Sequence, residues 1–403
     1  MMKNAKGTPP ALSGLRVLDI ATLLAAPSAA TCLAEFGADV IKIEVPGNGD
    51  HQRSFGNSVS GKSLTWISLG RNKKSVTLDL RKPQGAEILK KLVKTSDVLI
   101  ENFRPGTLEK WGLGPSELHE VNPSLVILRV TGYGQTGPYS SRPGFGTLAE
   151  AMSGFSHLVG EPGGPPTLPP FPLADGIAGL TGAYAILIAL RARDVNDHQG
   201  QVIDLSLFEP ILRLMEPFML DFDQLHLEGV RTGNRSNHIA PRNAYRCSDG
   251  YWIALSASAQ SIFVRLMHAI GRPELADDAR FRESASRIRN SDELDSIISK
   301  WFAQHDSTTA MSVMESAAVS VGLVYDVPRI FNDPHIAARE SFVEVLDDRI
   351  GSVRIANVVP RFSETPGKVS WTGPELGQHT AEILKEVGLD DADIDQLRTD
   401  GVV

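Results

Sequence analysis

The chain has 403 residues, of which 42% are hydrophobic and 22% charged, with a formal net charge of −8. That length suits one large or two moderate domains. The composition is that of a globular protein, and the acidic balance argues against a general nucleic-acid binder. Cys32 and Cys247 are the only cysteines, which leaves no disulfide framework or cysteine zinc site and fits a reducing, cytoplasmic setting. The first ten residues carry no apolar core of a signal peptide. The longest apolar run, Ala183 to Leu190, has the length of a buried helix, so no membrane partner is expected.

The first half alternates strands and helices. Leu15 to Ile20 reads as a buried strand, Pro27 to Phe36 as a helix closed by Gly37, and Val40 to Glu44 as the next strand. Ser75 to Leu80 alternates as a strand does, and Pro83 opens a helix at its first position. Asp97 to Glu101 and Ser124 to Val130 are two more strands. This alternation predicts a doubly wound α/β sheet, on which ligands bind beyond the carboxyl ends of strands. The segments placed there are Ala21 to Pro27, Asn102-Phe103 and Thr131 to Pro138. A helix is expected from Asp175 to about Arg193, a strand over Gly200 to Leu207, and one long helix to about Gly229. Residues 243–256 read as a hairpin turning at Asp249-Gly250, followed by helices over 259–270, 291–304 and 308–320. Residues 342–370 look strand-like and 379–398 helical.

The most informative segment is Pro165-Pro166-Thr-Leu-Pro169-Pro170-Phe-Pro172-Leu-Ala-Asp175-Gly176. Its prolines stiffen an extended approach to a helix of small residues, whose glycines leave room for something large against the backbone. Asp175 lies at the junction, near the positive end of that helix. Two readings are open for it: an N-cap, or a carboxylate nucleophile for acyl transfer. Gly132-Tyr-Gly134-Gln-Thr-Gly137 follows a strand but is broken by Pro138 and Pro143 and has no acidic residue at the required distance, so it is not read as a dinucleotide fingerprint. The chain contains no H-E-x-x-H, no serine elbow and no P-loop. The clusters Arg71-Asn72-Lys73-Lys74 and Arg81-Lys82 bracket a strand, and are open to a solvated or a phosphate-gripping role.

From Leu12-Ser-Gly-Leu-Arg-Val-Leu-Asp to the C-terminal Val-Val, the chain resembles the class III coenzyme A-transferases. The resemblance is carried by Phe36-Gly-Ala-Asp-Val-Ile-Lys-Ile-Glu44, Gly49-Asp50-His-Gln-Arg53, Asn72 to Arg81, Glu101-Asn-Phe-Arg-Pro-Gly106, Gly132 to Pro138, Gly200 to Glu209, Asn332-Asp-Pro334 and Gly377-Gln-His-Thr380. It implies that Asp175 is the covalent nucleophile, passing through an aspartyl anhydride and an aspartyl-CoA thioester. It implies that Leu23, Leu24 and Ala25 line the coenzyme A channel. Leu78 and Arg81 would meet the adenosine end, Asn102 and Phe103 the adenine–pantetheine region, and Lys110 a phosphate. Tyr133 would border the acyl site. Acyl-CoA and a free carboxylic acid are the implied substrates, with no permanently bound cofactor and no metal.

The architecture implied is a Rossmann-like large domain built from both chain ends, plus an inserted α+β domain, in an interlocked homodimer. The expected limits are 1–205, a linker helix 206–229, the small domain 230–330, and a return over 331–403. The related 2-methylacyl-CoA racemases carry a histidine where this chain has Phe145, which disfavours a racemase or epimerase. Glu150 stands where many transferases have glutamine. Both residues are assigned to the substrate pocket. No glycine-rich lid is present, so oxalate or formyl specificity is not expected. Arg231, Arg235, His238 and Arg242 are open either to meeting a second carboxylate or to forming a basic linker. The expectation is therefore CoA transfer from succinyl-CoA to a small or branched dicarboxylate, with a non-catalytic CoA-binding protein as the different-class alternative.

Overall fold

The computed structural model describes residues 8–196 and 199–403. The expectation drawn from the first seven residues therefore lies outside the described residues. Two compact units form. One comprises Met1–Phe155, Leu168–Leu220 and Ala338–Val403; the other comprises Ser156–Thr167 and Asp221–Ala337.

The first unit is built on a six-stranded parallel sheet. Its strands are β1 (Arg16–Asp19), β2 (Asp39–Glu44), β3 (Lys73–Thr77), β4 (Val98–Glu101), β5 (Val126–Thr131) and β6 (Val202–Ser206). They lie in the order β3-β2-β1-β4-β5-β6. Register is set by pairs such as Leu18 with Ile41 and Leu99 and Leu128 with Ile203. Near-continuous apolar runs mark strands covered on both faces. Val17, Leu18, Ile41, Leu99, Ile100, Val126, Ile127 and Leu128 are all fully buried. The order reverses between β1 and β4, so a crevice opens beyond their carboxyl ends.

Four helices matter for the crevice: α1 (Ala25–Glu35), α2 (Pro83–Val93), α3 (Gly146–Met152) and α4 (Leu173–Val195). α4 is long and apolar enough to cross a membrane by length and composition, which Ala183 to Leu190 alone did not indicate. In the fold it is a core helix, packed on α1, α3, β5 and β6. The glycines expected to leave room for a large neighbour do so for α1. A Cβ at Gly179 would stand 2.7 Å from Ser28 Cβ and 3.0 Å from the Ala25 carbonyl, and one at Gly182 would stand 2.9 Å from Leu128. The C-terminal helices Thr380–Glu386 and Asp391–Thr399 bring Ile383, Leu384, Ile394 and Leu397 into the same core as Leu89 and Leu92 of α2.

Several expected elements are shorter than predicted. The helix after β6 is two helices, Glu209–Leu214 and Glu216–Leu225, because Pro217 has no N–H to continue the first. The C-terminal helix is interrupted at Gly388, whose φ is +85°. Only Phe342–Asp347 and Gly351–Ala356 form strands within 342–370. In the second unit, Arg242–Arg246 and Trp252–Ser256 form the expected hairpin, joined by Val321–Leu323 in a three-stranded antiparallel sheet. Helices Gln260–Ala269, Ser291–Ala303 and Ser307–Ser316 pack on it around Phe263, Phe281 and Phe302.

Candidate active site

The crevice holds two neighbouring cavities, both within the first unit. One, of about 210 Å³, is lined by Ile20 to Thr22, Lys42, Asp50, Leu78, Arg81, Phe103 and Trp111. The other, of about 220 Å³, is lined by Thr22 to Ala25, Asn102 to Pro105, Thr131-Gly132, Ser140, Arg142 to Phe145 and Asp175. Thr22 and Phe103 belong to both walls.

The floor is held by buried charge. Asp19, Lys42 and Lys73 are at most 1% exposed. The Lys73 ammonium is 2.9 Å from one Asp19 oxygen and donates to the Pro27 carbonyl at 2.7 Å. Lys42 lies 3.4 Å from the other Asp19 oxygen and 3.1 Å from Asp50, and donates to the Ala21 carbonyl. Burial pulls the Lys42 pKa down, but Asp19, Asp50 and Glu44 together hold it above its ordinary value. For Lys73 burial wins, and its pKa falls. These contacts fix the loop between β1 and α1 in a costly shape: Leu23 has φ +64°. Its N–H donates to Asp50 at 3.2 Å, and the Asn102 amide both accepts from Thr22 N–H at 2.8 Å and donates to its carbonyl at 2.7 Å. An aspartate in Leu-Asp-Ile and a lysine in Ile-Lys-Ile, charges inside buried strands, were the overlooked sequence signal.

Asp175 sits in the first turn of α4. The helix begins at Leu173 with Pro172 as N-cap, so Asp175 is its third residue and the N-cap reading is corrected. The capping task falls to Glu150, 3% exposed on α3, whose carboxylate accepts from Ala174 N–H at 3.1 Å. Asp175 is thereby left without a hydrogen-bond partner among the described residues. Burial first, and then the Glu150 charge, push its pKa from 3.8 up to about 6. Space for the carboxylate comes from Gly146, where a Cβ would stand 2.6 Å from Asp175 Oδ2. Phe145, the N-cap of α3 and 60% exposed, supplies an apolar wall. The loop from Gly132 to Gly144 closes where these two glycines meet; a Cβ on either would be 2.5 Å from the other's Cα.

The sequence-predicted residues divide accordingly. Leu23, Leu24, Ala25, Asn102, Phe103, Phe145 and Asp175 line one cavity, and Glu150 backs it. Leu78, 1% exposed, and Arg81 line the other with Phe103. Asp79 grips the Arg81 guanidinium at 2.7 and 2.8 Å, while the arginine side chain stays 63% exposed. Lys110 is exposed at the end of a short helix beside Trp111. Tyr133 is not brought into either lining; its ring meets Tyr139 edge-on at 6.0 Å. The Gly132–Gly137 segment opens no helix, as expected.

The basic clusters are mostly spent: Arg71 pairs with Glu35, Lys73 with Asp19, Lys74 with Asp39, and Lys82 donates to the Asp400 and Gly401 carbonyls. Arg231, Arg235, His238 and Arg242 belong to the second unit. There they are tied to the His157 carbonyl, Asp292 and Asp295, Asp221, and the Asn234 carbonyl, respectively. Arg104 and Arg142, which the sequence reading passed over, line the cavity with Asp175. Among the described residues no group of acidic, histidine and cysteine side chains could hold a metal.

The arrangement puts a poorly solvated carboxylate at the end of a two-chamber cleft, which suits attack on an activated carbonyl. Relatives of the chain are CoA-transferases. It is 43% identical to the succinyl-CoA–D-citramalate CoA-transferase of Chloroflexus aurantiacus, over 99% of this chain and 100% of that protein. It is 42% identical to the beta subunit of that organism's succinyl-CoA–L-malate CoA-transferase, over 97% and 98%. The crystal structure of a CAIB/BAIF family protein from Brucella suis superposes with a TM-score of 0.83 at 31% identity, over 94% of this chain and all of that one. Residues 12–380 match the model of CoA-transferase family III, and the chain is a class III CoA-transferase of that family.

Proposed function

We propose that Asp175 is the nucleophile of a CoA transfer from succinyl-CoA to a small dicarboxylic acid. The observation that carries this reading is a half-buried carboxylate without a hydrogen-bond partner, whose pKa is raised to about 6, facing a cavity. At neutral pH it is ionised yet weakly solvated. Its oxygen attacks the thioester carbon, the C–S bond breaks, and CoA leaves as thiolate with an aspartyl anhydride behind it. The thiolate then attacks the aspartyl carbon of the anhydride and releases the donor carboxylate, giving an aspartyl-CoA thioester. The acceptor carboxylate attacks that thioester, forms a second anhydride and again frees the thiolate. Attack of the thiolate on the acceptor acyl carbon yields the new acyl-CoA and restores Asp175. No net proton moves, and the anhydrides survive only where water is kept out.

The cavity lined by Arg81 and Leu78 supports the placement of coenzyme A. Lys110 stands outside it beside Trp111, and Phe103, which lines both cavities, would flank a pantetheine arm passing between them. The names of the two Chloroflexus relatives, with succinyl-CoA as donor and D-citramalate or L-malate as acceptor, support a small dicarboxylate as the second substrate. A racemase would need a proton carrier where Phe145 offers only a benzyl group. A homodimer is supported by the row of exposed apolar side chains on α4: Leu180 at 65%, Tyr184 at 55% and Ile188 at 62%.

Intact-protein mass spectrometry after incubation with succinyl-CoA tests the reading. Wild type should carry an adduct that hydroxylamine removes, and Asp175→Ala should carry none while still binding CoA. Undiminished transfer by Asp175→Ala would sink the mechanism.

A further inference from the structure

We propose that Arg104 and Arg142 recognise the far carboxylate of the acyl group whose carbonyl carbon lies against Asp175. The proposal deepens the transferase reading and rests on it. Among the described residues, these two guanidiniums and Asp175 are the charged side chains that line the acyl cavity, with Glu150 behind it. Among the described residues neither has an ion-pair partner. Arg53, Arg81, Arg129 and Arg193 of this unit are matched to Glu44, Asp79, Glu101 with Glu109, and Asp97; Arg191, Arg213 and Arg339 have no ion pair either but do not line this cavity. Arg142 is held in advance, with its guanidinium carbon 3.7 Å from the centre of the Tyr139 ring, so little side-chain freedom is lost on binding.

A dicarboxylic acyl group carries at its free end a carboxylate that a guanidinium can grip with paired, charge-assisted hydrogen bonds, and a monocarboxylic acyl group offers nothing there to grip. At about 220 Å³ the chamber is below the roughly 300–1,000 Å³ of sites for drug-sized ligands, which fits a short acid and the end of a thioester arm. Donor and acceptor occupy this chamber in turn, so one pair of arginines would select both.

The test compares succinyl-CoA with butyryl-CoA, which has a methyl group in place of the far carboxylate. Binding of each is measured by calorimetry on Asp175→Ala protein, where neither thioester is consumed, with and without Arg104→Met or Arg142→Met. Each arginine variant should weaken succinyl-CoA binding roughly tenfold or more and leave butyryl-CoA within about twofold. Retained butyryl-CoA binding also reports an intact fold. Equal weakening of both esters would mean that the arginines grip coenzyme A itself, and no weakening of either would mean they grip nothing; both results overturn the proposal. The nucleophile reading is scored separately, by the hydroxylamine-sensitive adduct that succinyl-CoA should leave on protein with Asp175 and both arginines intact. Its absence would count against Asp175 without altering the ratio of binding constants.

Discussion

Replacing Asp175 by asparagine should stabilise the folded protein above pH 6 and leave it unchanged at pH 4. The carboxyl pKa rises from 3.8 to about 6 on folding, so the folded chain binds this proton more tightly than the unfolded one. Its contribution to stability is fully present below pH 3.8 and is lost as the pH rises through 6. Two pH units are worth at most about 3 kcal/mol. Asp175 is only half-buried, and solvent screening cuts this to roughly 1–2 kcal/mol. For a unit of this size each kcal/mol moves the melting temperature by roughly 2 °C. Asp175→Asn should therefore melt about 2–4 °C above wild type at pH 8 and together with it at pH 4. Scanning calorimetry at the two pH values measures this directly. An offset of the same size at both, or a wild type more stable at pH 8, would refute the claim that the site holds Asp175 at an energetic cost. Confirmation would give a reactive carboxylate that the fold tolerates for its chemistry.

Gly146→Ala puts a methyl group 2.6 Å from Asp175 Oδ2; adduct formation with succinyl-CoA should slow by about 100-fold or more while circular dichroism is unchanged. Lys73→Met takes one of two ammonium partners from the fully buried Asp19. It should cost about 3–5 kcal/mol in urea unfolding, and adding Asp19→Asn should recover part of that loss.

Much of the fold was legible because it is local. Five strands of the parallel sheet show as short, mainly apolar runs bounded by turn residues, while β3, expected over Ser75 to Leu80, begins two residues earlier and ends at Thr77; Pro83 and Gly37 mark helix ends where the structure has them. Asp175 stood out for the same reason, at a proline-to-glycine junction. Its role at the helix end did not, because the cap on Ala174 comes from Glu150, twenty-four positions away. The basic cluster at 71–74 misleads in a related way. Lys73 looks like a surface lysine, and only pairing of β3 with β2, and of β2 with β1, carries it into the interior beside Asp19. The smaller unit also takes in Ser156–Thr167, which nothing in the local pattern separates from its neighbours. Arg104 and Arg142 were hidden because what distinguishes them is their place in the wall that Asp175 faces, a property of the assembled cavity.

The crossing of Gly132 and Gly144 bears on how such a protein can change. The two glycines nearly touch, so the residues between them leave and re-enter the body of the unit at a single point. Insertions, deletions or wholesale exchange between these positions would reshape one wall of the cavity that Asp175 lines without altering the span between β5 and α3. The fold thus keeps Asp175 and this wall of its cavity on separately editable stretches of chain. Lineages can explore new acids by varying loop length, without risk to the strands that hold the floor, and an engineer seeking a new acceptor should randomise there before touching any residue of the sheet.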